Sequence, residues 1–307
     1  MSTPSFPPAS PVLSRREFLR TSAVLAGAVS LVRAAPAAEP ITDIHQHKSY
    51  SGRPDDKLLQ HQAAMGATTT VILAGGGNPK SVSALNAEVL EFVRAHPKRV
   101  YFFANARTDR PDARAEVEKY LKLGAIGIGE QKTNVPCDSR YVEILAELAR
   151  DHGVPMLMHF QHEAFNTGFE RFHKILEKFP TVNFIGHAQA WWGNIDKNHD
   201  QKVNYPTGKV TPGGITDRLL ADYPNMWADL SAGSGNNAFV RDEEQGRGFI
   251  ERHQDKLLFG TDCSDAIGQG AGCIGARQIA VIRRLAPSKA VERKVLHGNA
   301  RKLLGIG

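Results

Sequence analysis

Val154-Pro155-Met156-Leu157-Met158-His159, an amphipathic stretch over residues 168–179, and Val182-Asn183-Phe184-Ile185-Gly186-His187 make one strand–helix–strand unit. Both strands are apolar on both faces, as strands covered by helices must be. Outward from this unit the pattern repeats. Strand-length apolar runs begin near Ile41, Thr70, Val100, Ala125, Val154, Val182, Met226 and Lys256. Helical patterns fall between them at 55–65, 82–96, 112–123, 141–152, 168–179, 215–223 and 246–253, with more at 276–285 and on to Leu304. Eight strands alternating with helices predict a parallel sheet, because parallel neighbours need a crossover helix. The length suits a (β/α)8 TIM barrel. A doubly wound open sheet is the rival, but no G-x-G-x-x-G follows the first strand. Gly75-Gly76-Gly77 reads as a plain turn. One interval is longer than the rest, and its surplus lies between Ala188 and Gly214. A long irregular loop of this kind is expected to be a partly mobile cover over the barrel mouth.

The 307 residues are 41% hydrophobic and 23% charged, which excludes collagen-like, coiled-coil and wholly disordered chains. Net charge is +6, but Arg15, Arg16, Arg20 and Arg33 in the first 38 residues face only Glu17. Beyond them no Lys/Arg cluster appears, so nucleic acid is not an expected partner.

Those first residues read as an address. Ser14-Arg15-Arg16-Glu17-Phe18-Leu19-Arg20 precedes an apolar run over 21–32, and Ala35-Pro36-Ala37 offers a small-residue cleavage site. The paired arginines resemble a bacterial twin-arginine (Tat) leader. A membrane anchor is the alternative, but the run is about half of the ~20 residues that spanning needs. The expectation is a Tat-type signal peptide over 1–37, the Tat export machinery as partner, periplasmic or otherwise exported mature protein, and one domain over 38–307. Of three cysteines, Cys263 and Cys273 could pair in an oxidising compartment, while Cys137 stands apart.

Chemistry in such a barrel sits at the C-terminal strand ends. There the sequence places Asp43-Ile44-His45-Gln46-His47, Gly129-Glu130-Gln131-Lys132, His159, His187 and Gly260-Thr261-Asp262. Side chains alternate along a strand, so His45 and His47 are expected to face one way and converge on one ion. Glu130, His159, His187 and Asp262 arrive from other strands. Mixed imidazole and carboxylate donors suit zinc, with manganese, iron or cobalt as alternatives. An open coordination position would acidify a water toward pKa ~7. Arg107 could clamp a substrate carboxylate or sit in a surface ion pair. Trp191 and Trp192 could wall the pocket or pack within the loop. His162 could support His159. His61, His96, His152, His173, His253 and His297 fall on helical patterns and read as solvated.

The pattern resembles the amidohydrolase superfamily, in particular its amidohydrolase-related branch, across the whole mature chain. The residues that carry the resemblance are Asp43-Ile44-His45-Gln46-His47, His159, His187, Gly260-Thr261-Asp262 and Gly298-Asn299-Ala300-Arg301-Lys302-Leu303-Leu304-Gly305. It implies a (β/α)8 barrel with one or two divalent metals, His45 and His47 on the first. His159 and His187 match the strand-five and strand-six histidines, and Asp262 the aspartate that binds metal and handles the proton of water. Two arrangements stay open at strand four. Glu130 could bridge two metals, as in TatD-like nucleases, with Lys132 toward substrate. Alternatively His45, His47, His159 and Asp262 hold one metal and His187 is a free acid/base, as in metal-dependent decarboxylases. The resemblance implies a hydrolase of a small organic ester, lactone or amide. A non-oxidative decarboxylase is the alternative, and a non-catalytic metal-binding protein is a third reading.

Overall fold

The computed structural model describes residues 39–75 and 82–306; the leader and Gly76-Gly77 lie outside them. Eight parallel strands run in chain order: β1 Thr42–Gln46, β2 Thr69–Leu73, β3 Val100–Phe103, β4 Ile128–Gln131, β5 Met156–His159, β6 Phe184–His187, β7 Met226–Asp229 and β8 Leu257–Leu258. They pair as β1-β2-β3 and β4-β5-β6-β7-β8. Backbone bonds cross both remaining seams. The Ala104 N–H donates to the Gly127 carbonyl (2.9 Å) between β3 and β4, and the Ile44 N–H donates to the Phe259 carbonyl (3.1 Å) between β8 and β1. The architecture is a (β/α)8 barrel of the TIM type.

Alternation along the strands sorts the core into two layers. Val71, Leu73, Phe103, Leu157, Ile185 and Leu258 fill the barrel interior. Ile72, Phe102, Ile128, Met156, Met158, Phe184 and Met226 face the helices. His159 and His187 continue the inward parity of Leu157 and Ile185, which brings them to the mouth. They are paired neighbours in the β5–β6 ladder.

Two strands break parity. In β1, Asp43 pairs with Thr70 but Gln46 with Ile72, and in β4, Ile128 pairs with Met156 but Gln131 with Met158. Each carries one extra residue, the signature of a bulge. Ile128 faces the helices, so strict alternation would bury Glu130 beneath them as well. The extra residue turns it to the mouth. Gly129 makes this possible: φ is +146°, and a Cβ there would lie 2.9 Å from the Leu157 carbonyl oxygen.

Helices Asp55–Met65, Val82–Ala95, Ala113–Lys122, Arg140–His152, Ile215–Asp222, Glu243–His253 and Ile274–Leu285 match the predicted patterns to within a few residues. Residues 168–179 do not form one helix; a short turn at Phe169–Arg171 precedes His173–Lys178. Two helical segments lie outside the predicted patterns: Gln189–Gly193 and Ala232–Val240. Ala232–Val240 (AGSGNNAFV) has weak intrinsic helix propensity, and packing sustains it: Ala238 and Phe239 are buried against the core. Among the described residues no helix is long and apolar enough to cross a membrane.

Candidate metal centre

Four imidazoles and three carboxylates meet at the mouth, all but one of them almost fully buried. His45 Nε2 lies 3.2 Å from His47 Nε2. Glu130 Oε2 stands 3.8 Å from His45 Nε2 and 3.4 Å from His47 Nε2, and Asp262 Oδ1 stands 3.8 and 3.5 Å from the same atoms. The other Glu130 oxygen, Oε1, faces His159 Nδ1 at 2.5 Å and His187 Nε2 at 3.6 Å. Asp262 Oδ2 is 3.9 Å from His187 Nε2. Glu130 therefore separates two donor groups and presents one oxygen to each.

The outward ring nitrogens decide what the inward ones can do. His47 Nδ1 contacts the Leu73 carbonyl oxygen at 3.0 Å, which can only accept, so the proton sits on Nδ1. His45 Nδ1 lies 2.6 Å from Asp229 Oδ2, and His187 Nδ1 lies 3.2 Å from the same oxygen. His159 Nε2 faces Gln161 Oε1 at 3.3 Å. His45, His47 and His187 are thus bonded on the side away from the centre and turn the other ring nitrogen inward, while His159 turns Nδ1 to Glu130. Imidazoles backed by a carbonyl or carboxylate in this way are the usual pattern around metal-binding histidines. The donor set fits one or two divalent ions.

Electrostatics agree. Burial raises the Glu130 carboxyl, but His159, His47 and His45 outweigh it and hold its pKa well below the usual carboxylate range. Burial also raises Asp229, and His45 and His187 overcome it in the same way. Burial lowers His47 and His187, yet the carboxylates around them raise both above the ordinary histidine value. At His159 burial prevails and the pKa falls. The cage favours positive charge.

Asp229 was not singled out in the sequence, although Met226-Trp227-Ala228-Asp229 is another apolar strand with a polar end. It accepts from Ser231 Oγ (2.7 Å) and the Ser231 N–H (2.9 Å) besides the two imidazoles. Gly260 lets it approach, since a Cβ there would meet Asp229 Oδ1 at 2.5 Å and His45 Cβ at 2.9 Å. Asp229→Asn is expected to retain the fold and weaken metal binding by about 10–100-fold, read by competition with a chelator. Unchanged affinity would show that Asp229 does not hold His45 in place. Asp43, also not singled out as a site residue, ties β1 to β8: it accepts from the N–H groups of His45 (3.0 Å) and Thr261 (2.9 Å) and from Thr261 Oγ1 (2.6 Å).

Asp262 differs from the other donors. It is 16% exposed while the histidines and Glu130 are 6% or less, so its carboxylate borders the open mouth. Its φ of +45° puts a non-glycine residue in the left-handed region. Tyr50 stands nearby, its phenol pKa raised chiefly by the Asp262 charge, with burial and Glu130 adding. Lys132 lies 5.4 Å from the Phe165 ring centroid, and that ring packs edge-on against His159.

Other predicted site residues lie elsewhere. Arg107 is partly exposed and its guanidinium pairs with Asp109; the ion-pair reading holds in place of the clamp. His162 pairs with Glu163 at the surface. Trp191 and Trp192 do not wall a pocket. They are 0% and 1% exposed, packed with Phe160, Phe169, Phe239 and Phe249 behind β6. Gly186 fits beneath Trp191 only because it lacks a Cβ. The expected mobile cover over 188–214 needs the same correction. Ile195 and Val210 are buried, and Asp242 accepts from the Val210 N–H (3.0 Å) while Asn194 and Gln201 bond each other. Trp192→Ala is expected to lower unfolding free energy by about 3–5 kcal/mol, measured by urea denaturation. A loss within ~0.5 kcal/mol, typical of surface changes, would restore the pocket-wall reading. His61 and His253 are buried, not solvated.

The sequence model of a family described as amidohydrolase matches residues 42–306. Among solved structures, an uncharacterised TIM-barrel protein from Bordetella bronchiseptica is similar at 18% identity and TM-score 0.60, covering 87% of this chain and 98% of its own. A 5-carboxyvanillate decarboxylase from Sphingomonas paucimobilis is similar at 11% identity and TM-score 0.57, over 88% of this chain and 100% of its own. A zinc-bound amidohydrolase from Burkholderia multivorans is similar at 11% identity and TM-score 0.57, over 87% and 99%. At these identities the likeness is one of fold. No curated protein compared with the chain matches it.

Proposed function

Because the chain belongs to the amidohydrolase family, we propose that this enzyme is a metal-dependent hydrolase of a small organic ester, lactone or amide. The observation that carries the reading is the set of four buried imidazoles converging on Glu130, one of its oxygens toward each pair. In this reading His45, His47, Glu130 and Asp262 would hold one divalent ion, and His159, His187 and Glu130 would hold a second. Zinc suits these donors. Such an ion would polarise a substrate carbonyl and acidify water.

The chain's own groups do the rest. Asp262 reaches the open mouth and takes the proton of the attacking water, then returns it to the leaving group. Tyr50 keeps its phenol proton beside the Asp262 charge and offers it as a hydrogen bond to a substrate oxygen. Lys132 offers a cation at the rim for an anionic substrate. His187 is bound to Asp229 on one side and faces Glu130 and Asp262 on the other, which favours the ligand role over a free acid/base.

The test is a panel of lactones, esters, amides and aromatic acids, assayed both for acid release and for carbon dioxide. Acid release without carbon dioxide is expected. Carbon dioxide without hydrolysis would establish the decarboxylase instead. We propose further that residues 1–37 are a Tat-type leader and that the enzyme works in the periplasm. Sequencing the N-terminus of the protein recovered from that compartment tests this: a start near Ala38 is expected, and an intact Met1 would contradict it.

A further inference from the structure

We propose that His61, Cys263 and Cys273 form a second, sulfur-rich site for a thiophilic divalent cation of the zinc class. The three donor atoms lie within 4.8 Å of one another. Cys263 Sγ and Cys273 Sγ are 3.8 Å apart, and His61 Nε2 is 3.3 Å from Cys273 Sγ. Tetrahedral zinc with Zn–S bonds of about 2.3 Å separates two of its sulfurs by roughly 3.8 Å. A disulfide would require them at about 2.05 Å. The pair is therefore spaced as two ligands of one ion.

All three side chains are buried: His61 and Cys273 are 0% exposed and Cys263 is 2% exposed. None belongs to the donor groups at the barrel mouth. Asp265 Oδ2 lies 4.0 Å from His61 Nε2 and is a candidate fourth donor. Cys273 also caps helix Ile274–Leu285, its Sγ accepting from the Ala276 N–H at 3.4 Å, which fixes its place beside Cys263. Two thiolates and a neutral imidazole would balance a divalent charge, with the thiol protons released on binding.

The site would join three pieces of chain: helix Asp55–Met65 through His61, the segment after β8 through Cys263, and the start of Ile274–Leu285 through Cys273. Cys263 directly follows Asp262. Its carbonyl accepts from Arg53 Nη1 (2.8 Å) and Gln46 Nε2 (3.1 Å), so an ion here would anchor the backbone that presents Asp262 to the mouth. The loop packs closely on the helix, since a Cβ at Gly268 would meet the His61 carbonyl oxygen at 2.3 Å.

Cobalt(II) is the probe, added to mature protein purified anaerobically. Nitrogen and oxygen donors at the mouth give no sulfur-to-cobalt charge-transfer absorption; this site must. The band is expected in the unaltered protein and in His45→Ala. It should vanish in Cys263→Ser/Cys273→Ser, with one equivalent of metal lost by elemental analysis. Cobalt bound without the band would overturn the proposal, and the unaltered protein's spectrum decides this even where the serine variant fails to fold. A thiol count of one rather than three in denatured, unreduced protein would also overturn it, showing a disulfide. Because His45→Ala disrupts only the mouth, failure of that site and failure of this one are separately visible.

Discussion

His45→Ala and His47→Ala are each expected to lose metal from the barrel mouth and activity together, while circular dichroism shows the barrel intact. Each substitution removes one inward ring nitrogen from a group of four donors. The fold should survive because the partners left behind remain satisfied. Without His45, Asp229 still accepts from Ser231 Oγ, the Ser231 N–H and His187. Without His47, only the Leu73 carbonyl loses its side-chain partner. Normal metal content in both variants, by elemental analysis, would remove the basis of the assignment.

Asp262→Asn should act on rate and spare the metal. Asparagine preserves the shape and one oxygen toward the donors but cannot take a proton from water. It also tolerates positive φ better than most residues, so the left-handed backbone at this position is not disturbed. Loss of a positioned proton acceptor costs on the order of 10²–10⁴ in rate. The expected result is therefore a fall of that size in kcat with metal stoichiometry retained. Full activity would show that another group handles the proton, and His187 would be the next to test.

Much of this centre was legible in the sequence because the barrel puts chemistry in one predictable place. His159 and His187 follow from parity alone, as inward continuations of Leu157 and Ile185. Glu130 and His45 do not follow from parity. Their direction depends on one extra residue in β4 and one in β1, and pairing register is a property of two strands that no single strand encodes. Asp229 went unremarked for a different reason. Its importance lies in what it touches, 184 residues away in the chain at His45. Trp191 and Trp192 misled because a tryptophan pair in a long loop suits a pocket wall and a core equally. Burial separates these, and burial here comes from the helix Gln189–Gly193 turning both rings beneath β6. His61 was misplaced by a weakly amphipathic helix, whose polar residues His61 and Gln62 face inward to meet Cys273 and Asp43.

In the proposed centre Glu130 would present one oxygen to each of two cations. Anomalous diffraction at the zinc edge from crystals grown with zinc tests it most directly. Two peaks are expected at the mouth, each beside a different Glu130 oxygen at about 2.0–2.2 Å, one near His45 and His47 and the other near His159 and His187. A single mouth peak that leaves Glu130 unliganded would contradict it.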